Sequence, residues 1–391
     1  MHRHLEHLDK NKLRIVNFIS FFIGFSQALV IYVISSYFVR LSGQEDISIY
    51  YLLAYLIVLW ALLNLHKYVH QLGKVRVFIF SSLFKIVFNI LIIAMPFSWW
   101  TIVFLIMYII AMGVEWVNMD SLLETFSTDK VSGTVRGLHL TLVNLGFLFG
   151  PFLSMTLWEK FDFEGIFLVA LILNIFIFLF SLIYLRDIQA GFNKQVRSLE
   201  VIILAVKNKD VFLIYYISFV LEFFYALMII YTPIYLHKVL DFSVLETGNI
   251  FTIMLIPFVL LQYPAGVLAD KKMGEKKLLI VAIIIMALAT LVCFFFAPKI
   301  LIFWGIVLFF TRIGAALIEI LRDSYFYKLI DGRDVDFINF FRSAMPLAYV
   351  AAAGVSAILL LYFPIKSVFL IVFLVTLSAL IPAFKLKDGT K

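Results

Sequence analysis

The sequence predicts an all-α polytopic membrane protein of twelve transmembrane helices, arranged as two pseudo-symmetric halves of six. Three observations carry this. Of 391 residues, 63% are apolar and 15% charged, against about 25% charged in a soluble domain. Twelve apolar runs each approach the ~20 residues a helix needs to cross a bilayer. The basic residues collect on alternate connections, the asymmetry that orients membrane helices.

The predicted spans are 14–40, 47–66, 76–96, 99–123, 136–158, 164–185, 211–237, 246–268, 278–297, 300–322, 338–361 and 365–384. Backbone groups must be paired in hydrocarbon, and these runs are too long for barrel strands, so they read as helices. The charged start leads into a full-length span with no small-residue cleavage site before it, so no signal peptide is expected. With the N-terminus in the cytoplasm, 25 of the 32 Lys and Arg lie on inner loops and helix ends. Arg40, Lys160, Lys238, Lys299 and Lys366 lie outside, and Lys85 and Arg312 within spans. The expectation is a multi-pass protein of the cytoplasmic membrane with both termini inside. The net charge of +7 is then a topology signal, which points to anionic inner-leaflet lipid and away from nucleic acid. Cys293 is the only cysteine, so no disulfide or cysteine metal site is expected. His2, His4 and His7 read as part of a flexible basic terminus. No metal or cofactor is expected.

Residues 186–210 divide the chain into an N-terminal half, 1–185, and a C-terminal half, 211–391. The linker is strongly basic, and 196–206 reads as an amphipathic helix on the inner leaflet. The halves repeat each other. Phe21–Leu29 in span 1 aligns with Phe219–Leu227 in span 7 at a shift of 198, pairing Gln27 with Tyr225. Asp120-Ser121 in span 4 aligns with Asp323-Ser324 in span 10 at a shift of 203. His66 to Gly73 aligns with Gly266 to Gly274. A slowly growing shift is what tandem duplication with loop insertions leaves. Two such halves around a midplane site are the plan of many secondary transporters.

The turn after span 8 holds Gly266, Asp270, Lys271, Gly274, Lys276 and Lys277. It resembles the loop signature Gly-x-x-x-Asp-Arg/Lys-x-Gly-Arg/Lys-x-Arg/Lys of the major facilitator superfamily, with one extra residue before Gly274. The copy after span 2 is degraded: Gly73, Lys74 and Arg76 survive, but His70 replaces the aspartate. Span 5 carries Gly137, Gly146, Gly150 and Pro151, similar to the glycine-proline pattern of the family's twelve-span drug:proton antiporters. Ser154-Met155 replaces the usual following Gly-Gly, and span 4 lacks the antiporters' midway arginine, which appears instead as Arg312 in span 10. The structural reading of the span 5 glycines is close helix packing. The resemblance implies the major facilitator fold, alternating access, and a central cavity lined by spans 1, 4, 7 and 10.

Charges within spans are costly and therefore functional candidates. Glu222 and Arg312 lie midway along spans 7 and 10, and a Glu222–Arg312 pair would relieve both desolvation costs. Opening that pair could couple proton uptake to conformation; the alternative is a static structural pair. Glu115, with Asn118 one turn on, makes a second polar face as an alternative proton site or cation ligand. Lys85 reads as a supporting residue that reaches Glu115 or snorkels. Gln27 and Tyr225 are ligand hydrogen-bonding candidates. Tyr32, Tyr37, Trp116, Tyr231 and Tyr235 would suit a lipophilic or cationic cargo, although packing is the default for any one aromatic.

The resemblance further implies a cytoplasmic latch. Asp270 would sit at the N-terminus of span 5, near Thr134 to Gly137, with Arg322 as second partner. Asp323 would hold Lys276 or Lys277, and Asp120 would hold Lys74 or Arg76. No phosphate loop, nucleophile elbow or His-Glu-x-x-His occurs, so neither ATP-driven transport nor an enzyme is expected. The reading is a monomeric secondary transporter, expected to be a proton-coupled exporter of a small lipophilic or cationic compound. A sugar or metabolite symporter or facilitator is the alternative, and a lipid flippase the reading from another class.

Overall fold

The computed structural model describes residues 10–44, 47–125, 132–185, 207–270, 274–330 and 335–387. The predicted amphipathic helix at 196–206, Lys271 and the N-terminal histidines lie outside the described residues. Among those described, eleven helices are long and apolar enough to cross a membrane. One of them, Ser132–Tyr184, is two helices meeting at Asp162, where φ is 57°. A straight helix of its 53 residues would be about 80 Å long. Instead Gly150 abuts Ala28 and Ser26 hydrogen-bonds Asn174 at 2.6 Å. Points on either side of Asp162 therefore meet the same stretch of span 1, so the chain reverses there and supplies spans 5 and 6.

The other spans follow the apolar runs. Spans 2, 3 and 4 are Ser48–Leu72, Lys74–Ala94 and Trp99–Thr125. Spans 7 to 10 are Lys209–Ile234, Val244–Leu268, Glu275–Phe295 and Leu301–Leu329. Three spans are interrupted. Span 1 is Lys10–Ile31 followed by Ile34–Ser42. Span 11 is Val335–Arg342 followed by Ala344–Tyr362, and span 12 is Ser367–Ser378 followed by Leu380–Lys385. Local chemistry sets several ends. Asn208 caps span 7, accepting from the N–H groups of Asp210 and Val211. Ser243 and Glu246 form a reciprocal capping box on span 8, which satisfies two backbone donors at once. Gly73 and Gly274 begin spans 3 and 9 with φ of 87° and 68°, where a side chain would be strained.

Large apolar side chains including Trp60, Ile183, Leu361 and Ile381 lie exposed on the outer surface, as a lipid-facing wall requires. Inside, spans 1 and 5, 5 and 8, 8 and 10, and 2 and 11 pack along their lengths. The span 5 glycines make the first two contacts possible. A Cβ on Gly146 would strike the backbone of Phe21 and Phe25, and one on Gly137 the backbone of Gln262 and Tyr263.

The face bearing the lysine- and arginine-rich connections is called the basic face below. On the opposite face, Arg40 binds Asp162 at 2.5 Å and Lys299 binds Asp241 at 2.9 Å. The hydrogen bond from Lys299 holds the Asp241 carboxyl below its ordinary range.

Candidate functional site: a central cavity closed by two layers

A cavity of about 160 Å³ lies between the spans. Gln27, Tyr32, Trp116, Tyr225, Glu222 and Arg312, all singled out by the sequence, line it. Apolar and aromatic side chains, including Ile109, Phe147, Phe258 and Met345, make up much of the rest of its wall, together with charged residues such as Asp120 and Arg342.

The predicted charge pairing is wrong in its partners. Glu222 binds Arg322 at 2.8 Å, not Arg312. Arg322 also donates to the Ser218 hydroxyl at 2.6 Å. Ser218 and Glu222 are one turn apart, so a single guanidinium bridges both. Arg312 packs its guanidinium over the rings of Phe224 and Tyr225, at 4.9 and 5.8 Å from their centres. Its Nη1 is buried without a hydrogen-bond partner.

Glu115 and Asn118 do not reach the cavity. Glu115 faces span 3, where it pairs with Lys85 and accepts from Ser82 at 2.5 Å. Both charged side chains are essentially inaccessible, so each removes the other's desolvation cost. This is the supporting role expected of Lys85. Asn118 is fully buried with neither amide atom bonded. Tyr37 stacks on Phe163 and Tyr235 packs on Trp304 and Phe369, both away from the cavity.

Sequence reasoning passed over Glu319. It lines the cavity and accepts a 2.6 Å hydrogen bond from Gln262 Nε2. No ion-pair partner contacts it among the described residues. Gln262 Oε1 in turn accepts from Asn144 of span 5 at 3.0 Å. The signal was present: Glu319 follows Arg312 by seven residues, two helical turns on the same face. Ending span 10 at residue 322 placed Glu319 near a helix end. The helix runs on to Leu329, which puts it deeper.

Two layers close the cavity. On the basic face, Arg342 of span 11 binds Asp120 at 2.6 Å and Asp323 at 2.6 Å. Arg136 of span 5 also pairs with Asp120 and lies 3.9 Å from Asp323. The Tyr327 hydroxyl donates to Asp120 at 3.0 Å, and its ring lies 3.7 Å from the Arg136 guanidinium. Asp323 therefore does not hold Lys276 or Lys277. Nor does Asp120 hold Lys74 or Arg76: Lys74 donates to the Ser121 carbonyl at 2.9 Å. The expected partners begin the preceding span of the same half, whereas the arginines arrive from spans 5 and 11 and bind carboxylates as planar multidentate donors.

Asp270 lies where the sequence put it. Its Oδ2 accepts from the Thr134 N–H at 3.0 Å and from the Thr134 hydroxyl at 3.1 Å, the donors a helix N-terminus offers a carboxylate. Its cationic partner is Lys328, at 2.9 Å, not Arg322. Lys328 also binds Glu275 at 2.6 Å. Lys277 is exposed on span 9, and Gly266 lies buried near the end of span 8.

On the opposite face the closing layer is uncharged. Ser48 and Tyr231 are hydrogen-bonded at 2.9 Å, and Tyr231 donates to Ser356 at 2.9 Å. Tyr55 stacks on Tyr349 with centroids 4.0 Å apart, and Tyr32 lies 5.1 Å from Phe251.

A twelve-span bundle with a central cavity between two closing layers is the form of a membrane transporter, and the family comparison agrees. The model of the Major Facilitator Superfamily matches residues 16–251 and 240–390, and the chain belongs to that superfamily. Its membership means a multi-pass membrane transporter with a small-molecule substrate. Among solved structures, the chain is similar to the human organic anion transporter MFSD10 (TETRAN), with a TM-score of 0.70 at 13% identity, covering 95% of this chain and 99% of that one. It is also similar to a bacterial homologue of the iron transporter ferroportin in an outward-facing state with soaked iron, with a TM-score of 0.70 at 12% identity, covering 95% and 98%. At these identities the likeness is one of fold. No match is found among curated proteins.

Proposed function

We propose that the protein is a proton-coupled secondary transporter that moves a small molecule with an apolar or aromatic body by alternating access. In this reading residues 1–185 and 211–391 are the two moving halves, joined by 186–210. Both termini and the basic face are cytoplasmic, and the chain acts as a monomer. The two solved neighbours carry an organic anion and iron, so fold alone does not choose a cargo. Export, as in the drug:proton antiporters, rests on the span 5 motif, and its glycines are fully used in packing.

The observation that carries proton coupling is Glu319. It is a carboxyl in the cavity wall without a contacting cation, and a charge left so is costly. Its charge state is therefore free to follow the state of the cavity, whereas Glu222 is committed to Arg322. The chain Asn144–Gln262–Glu319 links this carboxyl to the contact between spans 5 and 8. Neutralising Glu319 weakens its hold on the Gln262 amide, a charge-assisted bond being about twice as strong as a neutral one. The contact between the halves then loosens. Cargo flux in proteoliposomes under an imposed pH gradient tests this. Glu319→Gln is expected to abolish gradient-driven accumulation while retaining exchange of cargo. Full accumulation in Glu319→Gln removes the residue from the mechanism, and loss only in Glu222→Gln returns the role to Glu222.

A further inference from the structure

Four polar groups of the cavity wall are already committed. Arg322 holds Glu222, Arg342 holds Asp120 and Asp323, and Gln262 holds Glu319. Among the described residues, the enclosed atoms of the cavity wall that lack a hydrogen-bond partner are all donors. Arg312 Nη1, Gln27 Nε2 and the Tyr225 hydroxyl are all enclosed and make no hydrogen bond. Arg312 is 2% exposed and Gln27 5% exposed. A guanidinium and a carboxamide nitrogen are donors only, and a phenol can donate. All three belong to the same cavity and come from three different helices, spans 10, 1 and 7.

We infer that Arg312, Gln27 and Tyr225 form an anion-recognition subsite, and that the cargo is an organic oxyanion, a carboxylate or sulfonate, on an apolar body. The inference rests on the transport reading of the cavity and adds the cargo's charge. Arg312 carries a permanent positive charge, and among the described residues no carboxylate pairs with it. The rings of Phe224 and Tyr225 lie against its guanidinium, and Nη1 is left without a hydrogen bond. Phe224 is apolar, and a tyrosine such as Tyr225 carries no negative charge at neutral pH in its ordinary state. An arriving oxyanion would satisfy the guanidinium bidentately and take further donors from Gln27 and Tyr225. A cationic cargo would meet the unopposed positive charge of Arg312, and of the cavity carboxylates Glu222, Asp120 and Asp323 already hold arginines, which leaves only Glu319 without a contacting cation. Buried groups left unpaired discriminate strongly against a ligand that cannot satisfy them.

The positions that the sequence repeat relates make the same division. Arg312, Glu319, Arg322 and Glu222 align with Ile109, Trp116, Met119 and Gly24. Spans 7 and 10 thus present the charges, while spans 1 and 4 present apolar surface at the matching places. An amphipathic molecule with one charged end fits such a cavity better than a uniformly apolar one.

The test uses purified full-length protein and three probes that share a ring system: 2-naphthoate, 2-naphthamide and 2-naphthylmethylammonium. Affinity is read from ligand-dependent thermal stabilisation, and transport from flux into proteoliposomes. Naphthoate is expected to bind at least tenfold more tightly than the neutral amide, and the ammonium more weakly still. Arg312→Gln should lower naphthoate affinity at least tenfold and leave naphthamide affinity unchanged. Arg312→Lys should retain part of the preference. Gln27→Leu, which leaves every buried charge in place, should cost naphthoate three- to tenfold. Equal affinity for the three probes, tighter binding of the ammonium, no binding of any probe at 10 mM, or a naphthoate affinity indifferent to both Arg312→Gln and Gln27→Leu would overturn the subsite. The outcomes separate the two claims. Gradient-driven flux of the ammonium but not of naphthoate sinks the subsite and leaves the transport reading standing. Arg312-dependent naphthoate binding without flux of any probe sinks the transport reading alone.

Discussion

Arg342→Ala should open the basic face. Arg342 reaches across the molecule to two carboxylates, at 2.6 Å from Asp120 and 2.6 Å from Asp323. Its side chain is only 11% exposed, and the two carboxylates 8% and 1%. Truncating one member of a buried ion pair costs about 3–5 kcal/mol, because the partner is left charged and unpaired. Arg136 stays in contact with Asp120 and near Asp323, so the lower end applies, about 3 kcal/mol. When the basic face opens, water reaches the three charges that remain and that cost falls away. The cost thus falls on the closed state, and at 1.4 kcal/mol per tenfold the population open at the basic face rises roughly a hundredfold.

The chain's one cysteine makes the assay simple. In a Cys293→Ala background, Leu140→Cys places a thiol on the cavity wall of span 5, next to His139, close to the Asp120–Arg342 layer. The modification rate by a membrane-impermeant maleimide added on the basic side reports the open population. Arg342→Ala should raise that rate by one to two orders of magnitude and Arg342→Lys by less. A change below threefold would mean that the network does not hold the face shut. A rise only from the opposite side would mean that the layers are assigned the wrong way round.

Asp270→Asn should act in the same direction but by about thirtyfold at most, since the Lys328–Asp270 pair is partly solvated and a helix N-terminus favours a carboxylate by roughly 0.3–2 kcal/mol, at 1.4 kcal/mol per tenfold; the same maleimide assay reads it. Lys85→Met alone should leave Glu115 charged and unpaired and lower the melting temperature in detergent sharply, whereas Lys85→Met with Glu115→Leu should recover most of the loss, since apolar replacement of a buried pair is often neutral; no recovery would give the pair a role beyond packing. Gly146→Leu should destabilise the protein by about 1–3 kcal/mol through overpacking on span 1, and unaltered melting would contradict the close backbone approach at Phe21.

The sequence predicted the elements well because the membrane imposes them: every span is a run of apolar residues whose backbone has no alternative to helix. The connection at Asp162 was legible as the gap between spans 5 and 6. The docking of Asp270 on Thr134 was legible because it joins a motif carboxylate to a helix start, two features visible in one dimension. Pairings among the buried charges were not. Glu222 had two arginines ten residues apart on span 10, separated by only about 80° around the helix. Choosing between Arg312 and Arg322 depends on the relative height of spans 7 and 10, which no local pattern encodes. The basic-face network was missed for a related reason. Arg136 and Arg342 read as topology charges at helix ends, yet Arg136 is fully buried and Arg342 largely so.

The repeat explains why partners were harder to see than positions. Duplication relates Asp120 to Asp323, and each was assigned its own lysines in its own half. The two aspartates instead share Arg342, and Arg136 lies between them. Equivalent residues of two repeats that meet about a common axis become neighbours of each other, so one cation can serve both. Away from that axis the repeats are free to diverge. At the position where span 7 carries Glu222, span 1 carries Gly24, whose missing side chain lets the Val143 carbonyl approach. One copy of that position became a helix contact and the other a charge in the cavity wall. Arg312 lies apart from the aspartate network, among Phe224 and Tyr225, so under the proposed reading cargo preference can change there without disturbing the contacts that close the basic face.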